Sequence, residues 1–269
     1  MQHRLALARR IAREAGNLTL RFFHDSNLVV ERKADTTPVT AADRGAEELL
    51  RRRITEMFPD DAILGEEFPE KSGSSGWRWV LDPIDGTKSF IHGVPLYSTL
   101  IGVQYHDESL IGVIALPALG ETLWAGKGQG AWHEADRFSE PRRARVSTIE
   151  TLEESLFLIS EVKTFGQLGR MATYMALDEQ SKLARSWGDA YGYFLVATGR
   201  AELMVDPALS PWDAGPLLVV LEEAGGRFTD WQGRRTIDGG EGIGTNGLVH
   251  EEVLSVCRDC ADLTKAEVR

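Results

Sequence analysis

Two aspartates, Asp82 and Asp85, lie three residues apart in the segment WVLDPIDGTKSF, residues 79–90. They follow an apolar run that predicts a buried strand, and Gly86 and Thr87 then open a short predicted helix. Carboxylate oxygens are hard donors suited to Mg²⁺, and the free N–H groups at a helix start suit a phosphate. A metal-assisted phosphate hydrolase needs both features side by side. An Asx-type turn with Asp85 as a helix cap explains this segment equally well.

Two other acidic segments favour the metal site over the turn. Glu66 and Glu67 follow Gly65 at the end of a predicted strand, 16 residues before Asp82. Asp213 stands in the segment PWDAG, immediately ahead of an apolar predicted helix. These acids come from separate stretches of the chain, so a fold must bring them together.

The composition excludes several classes of protein. The 269 residues carry 30 basic and 41 acidic side chains, a net charge of −11, which argues against a nucleic-acid binder. A hydrophobic fraction of 42% supports a buried core. No apolar run reaches the length of about 18 residues that a membrane span needs. Two cysteines, Cys257 and Cys260, cannot form a disulfide framework. From the charge, the missing span and the cysteine count together, we expect a soluble cytoplasmic protein without membrane or nucleic-acid partners.

The hydrophobic pattern places these motifs on alternating helices and strands. The Arg-rich start resembles a transit peptide, but apolar residues on one helical face from Leu7 to Leu18 predict a first helix. Thr40 is the expected N-cap of a helix over 41–57. The other predicted strands are 28–33, 62–65, 77–81, 97–105, 110–116, 121–126, 156–160, 201–205 and 227–231, and the other predicted helices are 165–177, 188–198, 215–224 and 250–259. Residues 34–38 are predicted to form a loop and 126–130 a hairpin turn.

The three motifs resemble the signatures of the inositol monophosphatase family. Gly-Glu-Glu stands at 65–67 and Asp-Pro-Ile-Asp-Gly-Thr at 82–87, while the Trp-Asp-x-Ala-Gly-like element stands at 212–215 without its intervening residue. The resemblance extends from Lys33 to Asn246. It implies an α/β (α+β) fold, a layered αβαβα sandwich, with an N-terminal lobe (1–143) and a C-terminal lobe (144–269) that meet at the metals. It also implies a homodimer.

The resemblance further implies the roles of individual residues. The implied metal ligands are the side chains of Glu66, Asp82, Asp85 and Asp213 and the backbone carbonyl of Ile84. Gly86 and Thr87 match the phosphate-contacting pair, and Thr87, Asp43 and Glu66 match the catalytic residues. Asp43 is expected to accept a hydrogen bond from the Thr87 hydroxyl, so that the two orient the attacking water. Lys33 matches a lysine on a loop near the metals, although a solvated lysine at a strand end fits equally well.

The implied cofactor also fits the physical chemistry of these residues. Four close carboxylates without a cation would repel one another and raise one another's pKa values. About two to three Mg²⁺ ions would remove that penalty, acidify a water molecule and stabilise the leaving alkoxide. Because no Cys or His stands where a nucleophile is expected, direct attack by water is predicted.

The family recognises the alcohol part of its substrate with residues that correspond to 185–193 and 205–207. The implied substrate-binding residues are Asp85, Arg185, Gly188, Asp189, Asp206 and Asp213. Asp189 replaces a small neutral residue of inositol-specific members, and acids flanking Trp187 suit an ammonium and an imidazole.

Segments 82–96, 116–122 and 188–193 resemble the histidinol-phosphate phosphatase branch of the family. The resemblance therefore implies that a small phosphomonoester, L-histidinol phosphate, is hydrolysed in histidine biosynthesis. The alternatives are an inositol-1-phosphatase, a broad-specificity phosphatase, or a catalytically silent binding protein on the same scaffold. Asp189 can also be interpreted as a simple helix cap.

Overall fold

The computed structural model of the chain describes residues 1–25, 27–32 and 38–266, with side chains described as far as residue 260. The helices of this part are α1 (Gln2–Thr19), α2 (Ala41–Met57), α3 (Thr87–Ile91), α4 (Val162–Gln167), α5 (Met171–Gln180), α6 (Ala190–Ala197), α7 (Pro211–Glu223) and α8 (His250–Ala266). Among them, no helix combines the length and the apolar composition that crossing a bilayer requires.

The strands of the described residues form three sheets. Their bounds are β1 (Val30–Arg32), β2 (Pro38–Thr40), β3 (Ala62–Gly65), β4 (Trp77–Asp85), β5 (Ser98–Tyr105), β6 (Glu108–Leu116), β7 (Glu121–Gly126), β8 (Gly130–Ala135), β9 (Arg142–Arg143), β10 (Leu156–Leu158), β11 (Leu183–Arg185), β12 (Leu203–Asp206), β13 (Arg227–Thr229) and β14 (Gly242–Thr245). Strands β1 and β2 pair with each other. Lys33 and the predicted loop residues 34–37 lie outside the described residues.

The two larger sheets carry the core. The seven-stranded sheet has the order β3-β4-β5-β6-β7-β8-β9, parallel only between β3 and β4, and the five-stranded sheet has the order β11-β10-β12-β14-β13. Helices α1 and α2 cover one face of the large sheet, and α6 and α7 fill the space between the sheets. Helices α5 and α8 cover the far face of the small sheet. This stacking is the predicted αβαβα sandwich, and the fold prediction is confirmed.

The first predicted helix is confirmed as α1. Leu7, Ala8, Ile11 and Ala15 are buried on one stripe against the large sheet. Arg4 at its start donates two hydrogen bonds of 2.8 Å to the carboxylate of Asp61. The Arg-rich start is therefore a structural helix.

Several predicted elements differ from the observed ones. The predicted helix 165–177 is divided into α4 and α5, because Gly169 between them has a left-handed φ of 68°. The predicted strand 77–81 continues as β4 to Asp85, with a register shift against β5 between Asp82 and Asp85 that accommodates Pro83. Strands β11 and β14 have no counterpart in the prediction, since short strands depend on partners distant in sequence.

The glycine-rich segment 126–130 forms the predicted hairpin turn between β7 and β8. The N–H groups of Gly128 and Gly130 each donate to the carboxylate of Glu223 at 2.6 Å. This turn thus binds the carboxylate of Glu223 on α7, a helix of the C-terminal half. The division into lobes 1–143 and 144–269 stays a prediction.

Helix α7 approaches the large sheet very closely at its second turn. A Cβ on Gly102 of β5 would lie 2.6 Å from the carbonyl carbon of Gly215. A Cβ on Gly112 of β6 would lie 2.3 Å from the carbonyl oxygen of Pro216. The backbone of α7 thus contacts the backbone of the strands directly. This distance is possible only because Gly102 and Gly112 have no side chains.

We expect Gly102→Ala to destabilise the fold by about 1 to 3 kcal/mol, because the methyl group would push α7 from β5. Urea unfolding of the purified variant measures this free energy. Gly45→Ala is the matched control: a Cβ there meets only a side-chain atom of Leu18, at 3.7 Å. Alanine in this helix interior should stabilise the protein by about 0.5 to 1 kcal/mol. Wild-type stability of Gly102→Ala would contradict the close contact.

Candidate active site

A cleft of about 290 Å³ lies where β4 ends and α6 and α7 begin. The predicted site residues that line it are Glu66, Asp82, Ile84, Asp85, Gly86, Thr87, Asp189, Asp206 and Asp213. Two sheets and the helices between them therefore bring together side chains that are up to 147 residues apart in sequence, Glu66 and Asp213.

Three carboxylates form the centre of this cleft. Oxygen atoms of Asp82, Asp85 and Asp213 all lie within 4.8 Å of one another. The first two are delivered by β4, and Asp213 is delivered by the first turn of α7. Glu66, directly after β3, is close enough for its charge to raise the pKa values of Asp82 and Asp213.

The electrostatics of the cluster favour a cation. Burial, followed by repulsion from neighbouring carboxylates, raises the pKa of Asp82 and of Asp85 well above the usual value. Burial raises the pKa of Asp213 to about 6. Oxygen donors with this much uncompensated negative charge suit a hard divalent cation, so the donor set fits the metal that the motifs predict.

Asp85 also caps α6. Its Oδ2 accepts hydrogen bonds from the Ser98 hydroxyl at 2.7 Å and from the Ala190 N–H at 2.8 Å. Asp189 stands at the N-cap position of that helix, as the alternative interpretation had it, but its carboxylate makes no capping hydrogen bond within the described part of the chain. The sequence alternative made Asp85 the cap of the short helix at 86–90, and this is not what is observed: α3 starts from Gly86 without a side-chain cap among the described residues, and the Asp85 carboxylate lies at the start of α6 instead.

Asp189 occupies a strained conformation at the rim of the cleft. Its φ of 54° and ψ of −159° belong to a region that residues other than glycine rarely adopt. Its N–H donates to the Ser160 hydroxyl at 2.9 Å, and its carboxylate lies against Gly86, where a Cβ would be 2.9 Å from Oδ2. Burial raises the pKa of Asp189, and the charge of Lys88 opposes this. The strain holds a carboxylate beside the expected phosphate-binding residues.

The expected hydrogen bond between Thr87 and Asp43 is not formed in this structure. The Thr87 hydroxyl donates to the carbonyl of Ile84 at 3.2 Å. Asp43 Oδ2 instead accepts from the N–H and the hydroxyl of Thr40, at 2.8 and 2.6 Å, in the capping box of α2. Asp43 Oδ1 is buried without a hydrogen-bond partner among the described residues. A free acceptor therefore remains on Asp43, and the catalytic role of the two residues stays a prediction.

Some of the predicted substrate-binding residues line the cleft and others do not. Asp206 lies in the cleft, where its carboxylate accepts from the Tyr193 hydroxyl at 3.1 Å and the Ser160 N–H at 3.2 Å. Burial raises its pKa to about 7. Arg185 and Gly188 do not line the described cleft. Arg185 is exposed and bonded to its neighbour's carbonyl, while Gly188 packs against the backbone of Ser160, so the geometry gives neither prediction support.

Three residues that contribute to the site were not given a role from the sequence. Ser98 faces Asp85 across the β4–β5 pair, and this register could not be deduced without the sheet. Ser160 follows β10, and its hydroxyl accepts a hydrogen bond from the N–H of Asp189, 29 residues away. The sequence gives no sign of this contact. Tyr193 lies four residues after Asp189 on α6, and this helical spacing could have identified it.

Comparisons with known proteins agree with the geometry. Residues 1–261 match the Inositol monophosphatase family. The chain therefore belongs to the inositol monophosphatase family, as its three motifs predict. Members of this family are metal-dependent phosphatases of small phosphomonoesters.

Individual relatives cover nearly the whole chain. A histidinol-phosphatase of Chlorobaculum parvum is 44% identical and aligns over 89% of this chain and 90% of its own. A histidinol-phosphatase of Mycobacterium tuberculosis is 37% identical over 93% and 96% of the two chains. The solved structure of a Thermotoga maritima IMPase has a TM-score of 0.84 at 30% identity and covers 97% of this chain and 99% of that one.

We expect Mg²⁺ to raise the Tm of the metal-free protein more at pH 7.5 than at pH 5. The raised pKa of Asp213, about 6 against 3.8 in a model peptide, means that this group favours folding only while protonated. Its contribution is lost as the pH rises through 6, and a bound cation restores it. Differential scanning calorimetry with and without Mg²⁺ measures the shift.

Asp213→Asn should reduce this Mg²⁺-dependent rise in Tm, while the exposed Asp178→Asn on α5 should leave it unchanged. A single ion at one hundred times its Kd contributes about 2.7 kcal/mol, which is readily detected. An equal rise in Tm for wild type and Asp213→Asn would contradict a metal site at this residue.

Proposed function

We propose that this chain is a Mg²⁺-dependent phosphomonoesterase whose substrate is L-histidinol phosphate. The observation that carries the proposal is the presence of two acidic groups in one cleft. The first group is the cluster formed by Asp82, Asp85 and Asp213, which suits metal ions. The second is Asp189 with Asp206, which suits the cationic part of a substrate.

The first group defines the reaction. The side chains of Glu66, Asp82, Asp85 and Asp213, together with the carbonyl of Ile84, would hold the ions. When bound, Mg²⁺ supplies charge stabilisation to the phosphate and the leaving oxygen and lowers the pKa of water. The described geometry supports three members of this set, Asp82, Asp85 and Asp213, because their oxygens converge and burial leaves their charge uncompensated.

The phosphate would lie at the start of α3. Gly86 has a left-handed φ of 80°, which a glycine adopts without strain, and Thr87 begins the helix. The Thr87 hydroxyl donates to the Ile84 carbonyl here, and the buried Oδ1 of Asp43, which has no partner among the described residues, is the acceptor that it would need for catalysis. The two side chains would then orient the water that attacks phosphorus.

The second group defines the substrate. L-Histidinol phosphate carries an ammonium and an imidazole, so its alcohol part is cationic where inositol is neutral. Asp189 and Asp206 would bind these groups by charge-assisted hydrogen bonds. The two histidinol-phosphatases that resemble this chain support the same substrate. The expected homodimer, the cytoplasmic location and the place in histidine biosynthesis belong to this proposal and rest on the resemblance.

A substrate panel tests the proposal. Purified protein with Mg²⁺ should release phosphate from L-histidinol phosphate with a higher kcat/KM than from inositol 1-phosphate. Chelation of the metal should abolish both reactions. Faster turnover of inositol 1-phosphate would reject the substrate assignment, and no hydrolysis of either ester would reject the phosphatase.

Asp189→Asn separates recognition of the cation from the chemistry. Because asparagine has nearly the same shape as aspartate, the backbone should remain in place while the charge is lost. We expect the KM for L-histidinol phosphate to rise about tenfold or more, the loss of one charge-assisted hydrogen bond. The KM for inositol 1-phosphate should change little. Equal effects on the two substrates would contradict a cation-binding role, and Asp178→Asn serves again as the surface control.

A further inference from the structure

Helix α2 carries a buried ion pair that lies behind the cleft rather than in it. The side chain of Glu47 is 0% exposed, and Arg51, one turn later, is 17% exposed. Arg51 Nε donates to Glu47 Oε1 at 2.7 Å. Burying two charges has a high desolvation cost. This cost is offset only when further hydrogen bonds satisfy the remaining polar atoms of the pair.

Within the described part of the chain, the other hydrogen bonds of this pair go to the segment that carries Glu66. Glu47 Oε2 accepts from the backbone N–H of Glu67 at 2.8 Å. Arg51 Nη2 donates to the carbonyl of Phe68 at 3.0 Å. On the other side, the N–H of Glu66 donates to the Leu81 carbonyl at 3.3 Å. The backbone on both sides of Glu66 is therefore fixed, by the ion pair and by β4.

Gly65 leaves the space that the ion pair requires. A Cβ at this position would lie 2.1 Å from Glu47 Oε1 and 2.5 Å from its carboxyl carbon. Any side chain at residue 65 would therefore displace the Glu47 carboxylate. The glycine of the Gly-Glu-Glu motif is thus explained by contact with α2, and the second glutamate supplies the N–H that Glu47 binds.

We propose that Glu47 and Arg51 are positioning residues that hold Glu66 in place to bind metal. This inference rests on the proposed function, because it takes Glu66 as a metal ligand. Neither side chain is among the described residues that line the cleft, so both act through the backbone of residues 66–68. Loss of either one should weaken metal binding without altering the contacts to the alcohol part of the substrate.

Isothermal titration with Mg²⁺, without substrate, measures the effect directly. We expect Glu47→Ala to bind Mg²⁺ about 10 to 100 times more weakly than wild type, as is typical when residues behind a metal ligand are removed. Glu47→Gln, which keeps an acceptor for the Glu67 N–H, should recover part of this loss. Glu48→Ala is the matched control, because Glu48 is the exposed neighbour on the same helix.

Arg51→Ala distinguishes positioning from simple electrostatics. Removing a positive charge near the site should tighten Mg²⁺ binding if charge alone matters, whereas loss of the Phe68 contact should weaken it. At saturating Mg²⁺, the KM for L-histidinol phosphate should stay within about twofold of wild type in Arg51→Ala and Glu47→Gln. A merely structural role would lower Tm and leave the Kd for Mg²⁺ of the folded protein unchanged.

The outcomes separate the two proposals. Wild-type Mg²⁺ affinity in Glu47→Ala overturns the positioning role while the proposed function stands. If Glu47→Ala does not fold, wild-type affinity in both Glu47→Gln and Arg51→Ala has the same meaning. Tighter binding by Arg51→Ala also overturns it. Absence of Mg²⁺ binding by the wild-type protein overturns the proposed function and the inference together.

Discussion

Mutual repulsion of buried carboxylates is the constraint on which this structure depends. Asp82, Asp85 and Asp213 are held within 4.8 Å of one another; the first two are buried and Asp213 is half-buried, so they lack much of the solvation that separated charges would have. Burial is the first cause of their raised pKa values, and repulsion from neighbouring carboxylates adds to it. A fold that maintains such a cluster is stabilised by whatever cation relieves it. Metal binding and folding are therefore linked through the same side chains.

Helix starts partly offset this repulsion. Asp85 accepts the N–H of Ala190 at the beginning of α6, and Asp213 accepts the N–H of Ser210 in the capping box of α7. Asp43 does the same at α2. The N-terminal ends of helices carry partial positive charge, so the starts of α6 and α7, which both border the cleft, stabilise ionised acids there. The acids that would serve chemistry also define where the helices begin.

Close packing decides how accurately the acids meet. Gly102 and Gly215 bring α7 onto β5 by backbone contact, and this places Asp213 opposite the end of β4. Gly65 admits the carboxylate of Glu47 in the same manner and thereby fixes the segment of Glu66. In both places a missing side chain brings two distant elements together. These glycines therefore allow close packing between elements, in addition to any freedom they give the backbone.

The sequence by itself determined the family, because motif spacing is a local property of the chain, and the resemblance to that family implied the sandwich. The sequence also singled out Asp82, Asp85 and Asp213, which the fold brings together. It also predicted α2 and the hairpin at 126–130 correctly. Only the tertiary structure decided that Asp85 caps α6, that Thr87 donates to the Ile84 carbonyl, and that Arg185 stays outside the cleft. Those outcomes depend on strand register and on contacts between residues up to 105 positions apart, such as Asp85 and Ala190. Local pattern cannot specify them, since a carboxylate or hydroxyl bonds whichever partner the packed layers bring within reach.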